Sequence, residues 1–156
     1  MGDYLDYLKH MNFDSYTTFV DEVPLDIGKR RGKQSIMRTK NWMKKHIECA
    51  EEVQGKIIAT IQVSDNLQFM EEQLQMVNLH KDLFYGVNIA GLYLGESEAQ
   101  RNAILNTIFT TIPETMLRFV TGPNTPFDVL ETVRQGSDLV VCSYPVGLAE
   151  KAYLSW

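Results

Sequence analysis

The strongest constraint in this sequence is a hydrophobic period that keeps switching. Short apolar, β-branched runs give way to stretches with helical spacing, in units of roughly 30 residues, as in βαβ repeats around a parallel sheet. The runs cover 16–20, 56–63, 83–90, 116–121 and 138–142. The second, Lys-Ile-Ile-Ala-Thr-Ile-Gln-Val, is apolar almost throughout, as strands buried on both faces are. Between the runs, Ile36, Trp42, Met43, Ile47 and Ala50 predict a helix over 33–53, and Leu67, Met70, Leu74 and Val77 one over 66–79. Ser97 caps a helix whose inner face is Ile104, Leu105, Ile108 and Phe109. Thr125-Pro126 opens another, with Val129, Leu130 and Val133 facing inward. A helix over 3–11 precedes them all. The polar stretch with Gly28 and Gly32 reads as a loop, and Gly136 ends the last predicted helix.

Two architectures compete for this alternation. A doubly wound open sheet brings a Gly-rich dinucleotide turn after its first strand, and none is present. An eight-stranded barrel fits the unit length but needs about 250 residues. At 156 residues the expectation is α/β, a partial (β/α)8 TIM barrel with about five parallel strands alternating with helices. It forms a single domain over 1–156, with 146–156 as a short helix or a loose C-terminal tail. Raw parallel edges pair with other chains unless covered. A homodimer in isolation, or a complementing partner, is therefore expected.

Composition narrows the function classes. A formal charge of -5 argues against non-specific grip on nucleic acid, which needs clustered cations. The one rich cluster is Lys29-Arg30-Arg31-Gly32-Lys33, continued by Arg38, Lys40, Lys44 and Lys45. Its plain reading is a solvated loop and helix face. Cys49 and Cys142 form no CxxC pair, and His10, His46 and His80 are scattered, so no metal site is expected within the chain. The acidic, aromatic start lacks the basic and apolar segments of a secretion signal, and no run approaches the roughly 20 apolar residues of a membrane span. A cytoplasmic protein is expected.

In a barrel of this kind chemistry gathers at the carboxyl ends of the strands. Those ends read Asp21-Glu22, Gln62, Gly91-Leu92, Gly122 and Val141-Cys142. An ionised Asp accepts hydrogen bonds, a Gln amide donates and accepts, and a backbone N–H beside Gly donates. Asp21, Gln62 and Gly91 together suit the edge of a flat purine-like ring. The plainer alternatives are that Asp21 caps a turn and Gln62 satisfies backbone groups at a strand end.

Four segments in register carry a resemblance. Asn88-Ile89-Ala90-Gly91-Leu92-Tyr93-Leu94-Gly95-Glu96-Ser97 resembles the "IGGL-x-x-GE" stretch of tRNA-guanine transglycosylases. Phe19-Val20-Asp21-Glu22 is similar to their "FDE" strand and Ala59-Thr60-Ile61-Gln62 to their "IQGG" strand. Thr125 to Leu130, with Gly136-Ser137-Asp138-Leu139, is similar to "P-x-D-(V/L)-L…G-x-D-(M/L)-F-D". The resemblance spans about 14–145. It implies a (β/α)8 barrel that exchanges guanine at the tRNA wobble position for queuine or its precursor. It assigns Asp21 to base recognition, Gln62 to the base carbonyl and the Gly91 N–H to the same task.

It also implies departures. The nucleophilic Asp of the "FDC" stretch is matched by Val141, and valine has no lone pair with which to attack. Cys142 falls on the opposite face of its strand, and Asp138, near the strand's beginning, reads as structural. The general base of the "DSGG" motif would lie before residue 1 and the zinc cysteines beyond Trp156, leaving no cofactor in this chain. Val63-Ser64 replaces two glycines, and Leu94 is bulky. What the resemblance implies is a non-catalytic accessory subunit of queuine tRNA-ribosyltransferase. It would partner a catalytic transglycosylase subunit, meet tRNA through that complex, and lie in the cytoplasm, peripheral to the mitochondrial outer membrane. The alternative is a stand-alone half-barrel binding a purine or small metabolite through Asp21, Gln62 and Gly91.

Overall fold

A computed structural model describes residues 2–11 and 13–153. After helix α1 (Gly2–His10), strands β1 (Ser15–Thr17), β2 (Lys56–Gln62), β3 (Phe84–Ala90), β4 (Leu117–Thr121) and β5 (Leu139–Val141) alternate with further helices. These are α2 (Lys29–Glu48), α3 (Leu67–Leu79), α4 (Glu98–Thr111), α5 (Pro126–Arg134) and α6 (Tyr144–Tyr153). All neighbouring strands pair in parallel, in the spatial order β1-β2-β3-β4-β5. Sequential order decides between the two architectures. A doubly wound sheet reverses its order at a switch point, whereas right-handed crossovers that always step the same way keep every helix on one face. The five strands curl into part of a (β/α)8 barrel.

Alternation divides the sheet into two faces. Ile57, Ala59, Ile61, Val87, Ile89 and Val120 point outward into the core with Met43 of α2, Leu74 and Val77 of α3, and Leu105 and Ile108 of α4. The opposite set, in register, is Ile58, Thr60 and Gln62 beside Gly86, Asn88 and Ala90, then Phe119 and Thr121 beside Leu139 and Val141. This inner face is buried at β2 and opens toward β5, where Leu139 and Val141 are exposed.

Several expectations need correction. The basic stretch at Lys29 is not a loop: α2 starts there and carries Gly32 within it. β1 is shorter than 16–20 because Thr18 breaks the ladder with its side chain. The Thr18 hydroxyl accepts the Thr60 N–H at 2.8 Å, and the Thr60 hydroxyl donates to the Thr18 carbonyl at 2.8 Å. In α5 the buried residue is Thr132, while Leu130 and Val133 are exposed and Val129 is half-buried. Leu67 is exposed at the start of α3. The tail beyond 146 is helical through Tyr153, and 154–156 lie outside the described residues. The caps at Asn66, Ser97 and Thr125 do form, with Ser97 and Gln100 completing a reciprocal box.

Candidate functional site

β1, β2 and β3 deliver the three candidate residues to one rim, at the carboxyl ends of adjacent strands. Asp21 follows the extended stretch after β1, Gln62 ends β2, and Gly91 follows β3. Gln62 and Gly91 touch. A Cβ at Gly91 would lie 2.5 Å from Gln62 Nε2 and 2.8 Å from the Val23 carbonyl, and its φ of +90° suits only glycine.

Each of the three candidate residues already has a partner within the chain. Asp21 is gripped by α2: Arg31 donates to both carboxylate oxygens, at 2.7 and 2.6 Å, and Arg38 adds a third contact at 3.2 Å. The Arg31 guanidinium holds the Asp21 carboxyl below the usual carboxylate range. The Asp21 N–H donates to Thr39 Oγ1 at 3.1 Å, and Ser35 donates to the Asp21 carbonyl. Gln62, fully buried, donates from Nε2 to the carbonyls of Val23 at 2.8 Å and Val63 at 3.1 Å. Its Oε1 has no hydrogen-bond partner among the described residues. The Gly91 N–H donates to Glu22 Oε1 at 2.9 Å. Gln73 of α3 fixes the end of β2, accepting the Gln62 N–H at 3.1 Å and donating to its carbonyl at 2.9 Å.

Two further parts complete the rim. Glu96 closes the β3–α4 loop: its carboxylate accepts the N–H groups of Tyr93 at 2.8 Å and Leu94 at 3.1 Å, and Arg101 donates to it at 3.0 Å. Val141 stands on the inner face at the end of β5 with half its surface exposed, and its carbonyl accepts the Gly122 N–H at 3.3 Å. Asp138 pins the other end of that strand. It accepts the Arg118 N–H at 2.8 Å and returns its own N–H to the Arg118 carbonyl at 2.9 Å. Among the described residues no three His, Cys, Asp or Glu side chains are grouped to hold a metal ion, and Cys49 and Cys142 are free thiols. Between α2 and α3 lies an open cleft of about 660 Å³, lined by Lys29, Lys33 and Asn66 with apolar Ile36 and Phe69; it borders the rim through Val23 and Val63 but is not lined by Asp21, Gln62 or Gly91.

Sequence reading placed Glu22 at a strand end without giving it a partner, and missed Arg31 and Glu96 as parts of this rim. Glu22 and Glu96 lie inside the motifs that mark it, yet a motif does not say which backbone N–H a carboxylate takes. Arg31 stood in a cluster whose plain reading was solvation.

Comparison with known proteins places the chain. The family model of queuine tRNA-ribosyltransferase matches residues 2–155. Queuine tRNA-ribosyltransferase accessory subunit 2 of Caenorhabditis elegans is 29% identical over 143 residues, 89% of this chain and 38% of that protein. The queuine tRNA-ribosyltransferase of Fusobacterium nucleatum is 31% identical over 117 residues, 74% of this chain and 31% of its own. That of Aquifex aeolicus is 23% identical over 124 residues, 80% and 32% respectively. The chain thus spans less than two-fifths of the length of these relatives. With the barrel strands in order and the family match running over nearly the whole chain, this protein belongs to the queuine tRNA-ribosyltransferase family.

Proposed function

We propose that the chain acts as a non-catalytic subunit that supports guanine-for-queuine exchange at the tRNA wobble position beside a catalytic transglycosylase subunit. The observation that carries this reading is Val141. It occupies the rim position at which the family resemblance sets the nucleophilic carboxylate, and it offers no lone pair for a covalent intermediate. The accessory-subunit name of the Caenorhabditis elegans relative supports it. On this reading the exposed β5 end of the inner face is covered by a partner. Mixed at micromolar concentration with a catalytic transglycosylase subunit, the chain is expected to co-elute with it on a sizing column, and to run as a homodimer when alone. Failure to co-elute, or base exchange by the chain alone, would sink the reading.

Contact with tRNA is proposed for α2. That helix carries eight of the chain's 15 basic residues and one acid, Glu48, a local excess of seven positive charges on a chain of net charge -5. Arg31 and Arg38 are engaged by Asp21 and Lys40 by Glu72. Among the described residues Lys29, Arg30, Lys33, Lys44 and Lys45 make no ion pair, and all five are exposed. Reversing Lys33 and Lys44 to Glu is expected to weaken tRNA binding by the complex and to reduce the slope of log K against log salt by about one to two. Unchanged salt dependence would exclude this face.

A second reading, a stand-alone purine-binding half-barrel, is favoured by the convergence of Asp21, Gln62 and Gly91 on one rim.

A further inference from the structure

We propose that the segment after β1 is an internal plug of the purine site, and that Glu22 is the residue a ligand must displace. This inference rests on reading Asp21, Gln62 and Gly91 as base-recognition positions. Three consecutive residues each silence one of those groups. Asp21 turns its own carboxylate to Arg31 and Arg38. Glu22 places a carboxylate oxygen 2.9 Å from the Gly91 N–H. Val23 offers its carbonyl to Gln62 Nε2 at 2.8 Å. A single stretch of chain thus serves the whole set.

The chemistry of the plug indicates what it replaces. The Gly91 N–H is a donor, and the Glu22 oxygen fills the place of an acceptor atom on a ligand. Beside it, Gln62 Oε1 is buried without a hydrogen-bond partner among the described residues, an acceptor that lacks a donor. Buried polar atoms normally have partners, so this one marks an incomplete fit between plug and site. A ligand edge that presents a carbonyl next to an N–H would satisfy both groups at once. The cis-lactam edge of an oxopurine has that pattern. Glu22 is exposed to solvent, so its carboxylate can swing out and regain water without opening the core. Asp21, held by its two arginines, keeps the rest of the segment anchored. Glu22 therefore sets the site's threshold: a ligand binds only as far as its lactam contact outcompetes an intramolecular carboxylate at high effective concentration.

The test is calorimetric titration of guanine into the full chain, with the Gly91 amide resonance followed by NMR. Glu22→Ala is expected to shift the Gly91 amide in the free protein and to tighten guanine binding at least tenfold. Glu22→Gln keeps a neutral acceptor and is expected to fall between the two. In Glu22→Ala, guanine should move the Gly91 resonance back toward its original position. Equal affinities for the native chain and Glu22→Ala would overturn the plug while leaving the recognition reading intact. Absence of guanine binding in both proteins, or binding that Gln62→Met leaves unchanged, would overturn that reading and the plug with it.

Discussion

Glu96→Ala is expected to destabilise the chain by on the order of 3 kcal/mol, lowering the melting temperature by about 6–12 °C. The side chain is 1% exposed, yet it is ionised and fully engaged. Burial alone would raise its pKa. The N–H groups of Tyr93 and Leu94 and the Arg101 guanidinium outweigh that effect and hold the carboxyl below its ordinary value. The same contacts stabilise Tyr93 in a left-handed conformation, φ +64°, that a non-glycine residue seldom adopts. Tyr93 in turn carries Arg101 over its ring, 4.2 Å from the centroid, and bonds through its hydroxyl to Thr132 of α5. Alanine at 96 would leave two backbone donors and a mostly buried guanidinium without their acceptor. The loop that follows Gly91 would then lose its tie between α4 and α5. Because the folded-state pKa is depressed, the contribution is present above the unfolded value and is lost as pH falls through the folded one. Urea unfolding at pH 7 checks the size of the effect. A double variant with Arg101→Ala should cost much less than the sum of the singles, since both remove one interaction. A loss below about 1 kcal/mol would mean that the loop is held by something other than this carboxylate.

Much of the fold was legible because its strands are short, apolar and regularly spaced, and because caps at Asn66, Ser97 and Thr125 are local chemistry. The errors come from long-range partners. Three cations at the start of α2 oppose the helix dipole, and its first turn holds no acid. Read locally, Lys29 to Gly32 is a poor helix start. It is held there because Arg31, Ser35, Arg38 and Thr39 all reach back to Asp21. The same contacts hide the role of Asp21, whose charge is spent on α2 and not left open at the rim. In α5, periodicity suggested an inward Leu130 and Val133, but the tyrosine from the neighbouring loop selects Thr132 as the buried position. The places of Asp21, Gln62 and Gly91 on the rim were legible because strand ends are readable; their internal partners, ten to 69 residues away, were not.

The second large effect is a pH dependence centred on His46. This histidine is 1% exposed on α2, ringed by Tyr4 of α1, Tyr16 of β1 and Phe19 in the extended stretch after it, with centroids 5.9 to 6.0 Å away. Neither ring nitrogen has a hydrogen-bond partner among the described residues. Burial pushes its pKa from 6.5 down to about 4, because an imidazolium there would have neither water nor a counter-charge. The same burial raises Tyr4 and pushes Tyr16 up to about 12, so both phenols stay neutral throughout the relevant range. The sign follows from proton uptake. Between pH 6.5 and 4 the unfolded chain binds a proton at His46 that the folded chain refuses, so stability falls as the pH drops. The loss reaches on the order of 3 kcal/mol and levels off below about pH 4. His46→Leu removes the titrating group and keeps a buried side chain of similar size. Other carboxylates contribute equally to both proteins, so the stability difference between native and His46→Leu isolates the histidine. That difference should be nearly constant above pH 7 and shift in favour of the variant as the solution is acidified to pH 4. A difference that stays flat across this window would show that His46 takes up its proton in the folded state as easily as in the unfolded one, and that α1 does not seal it from water.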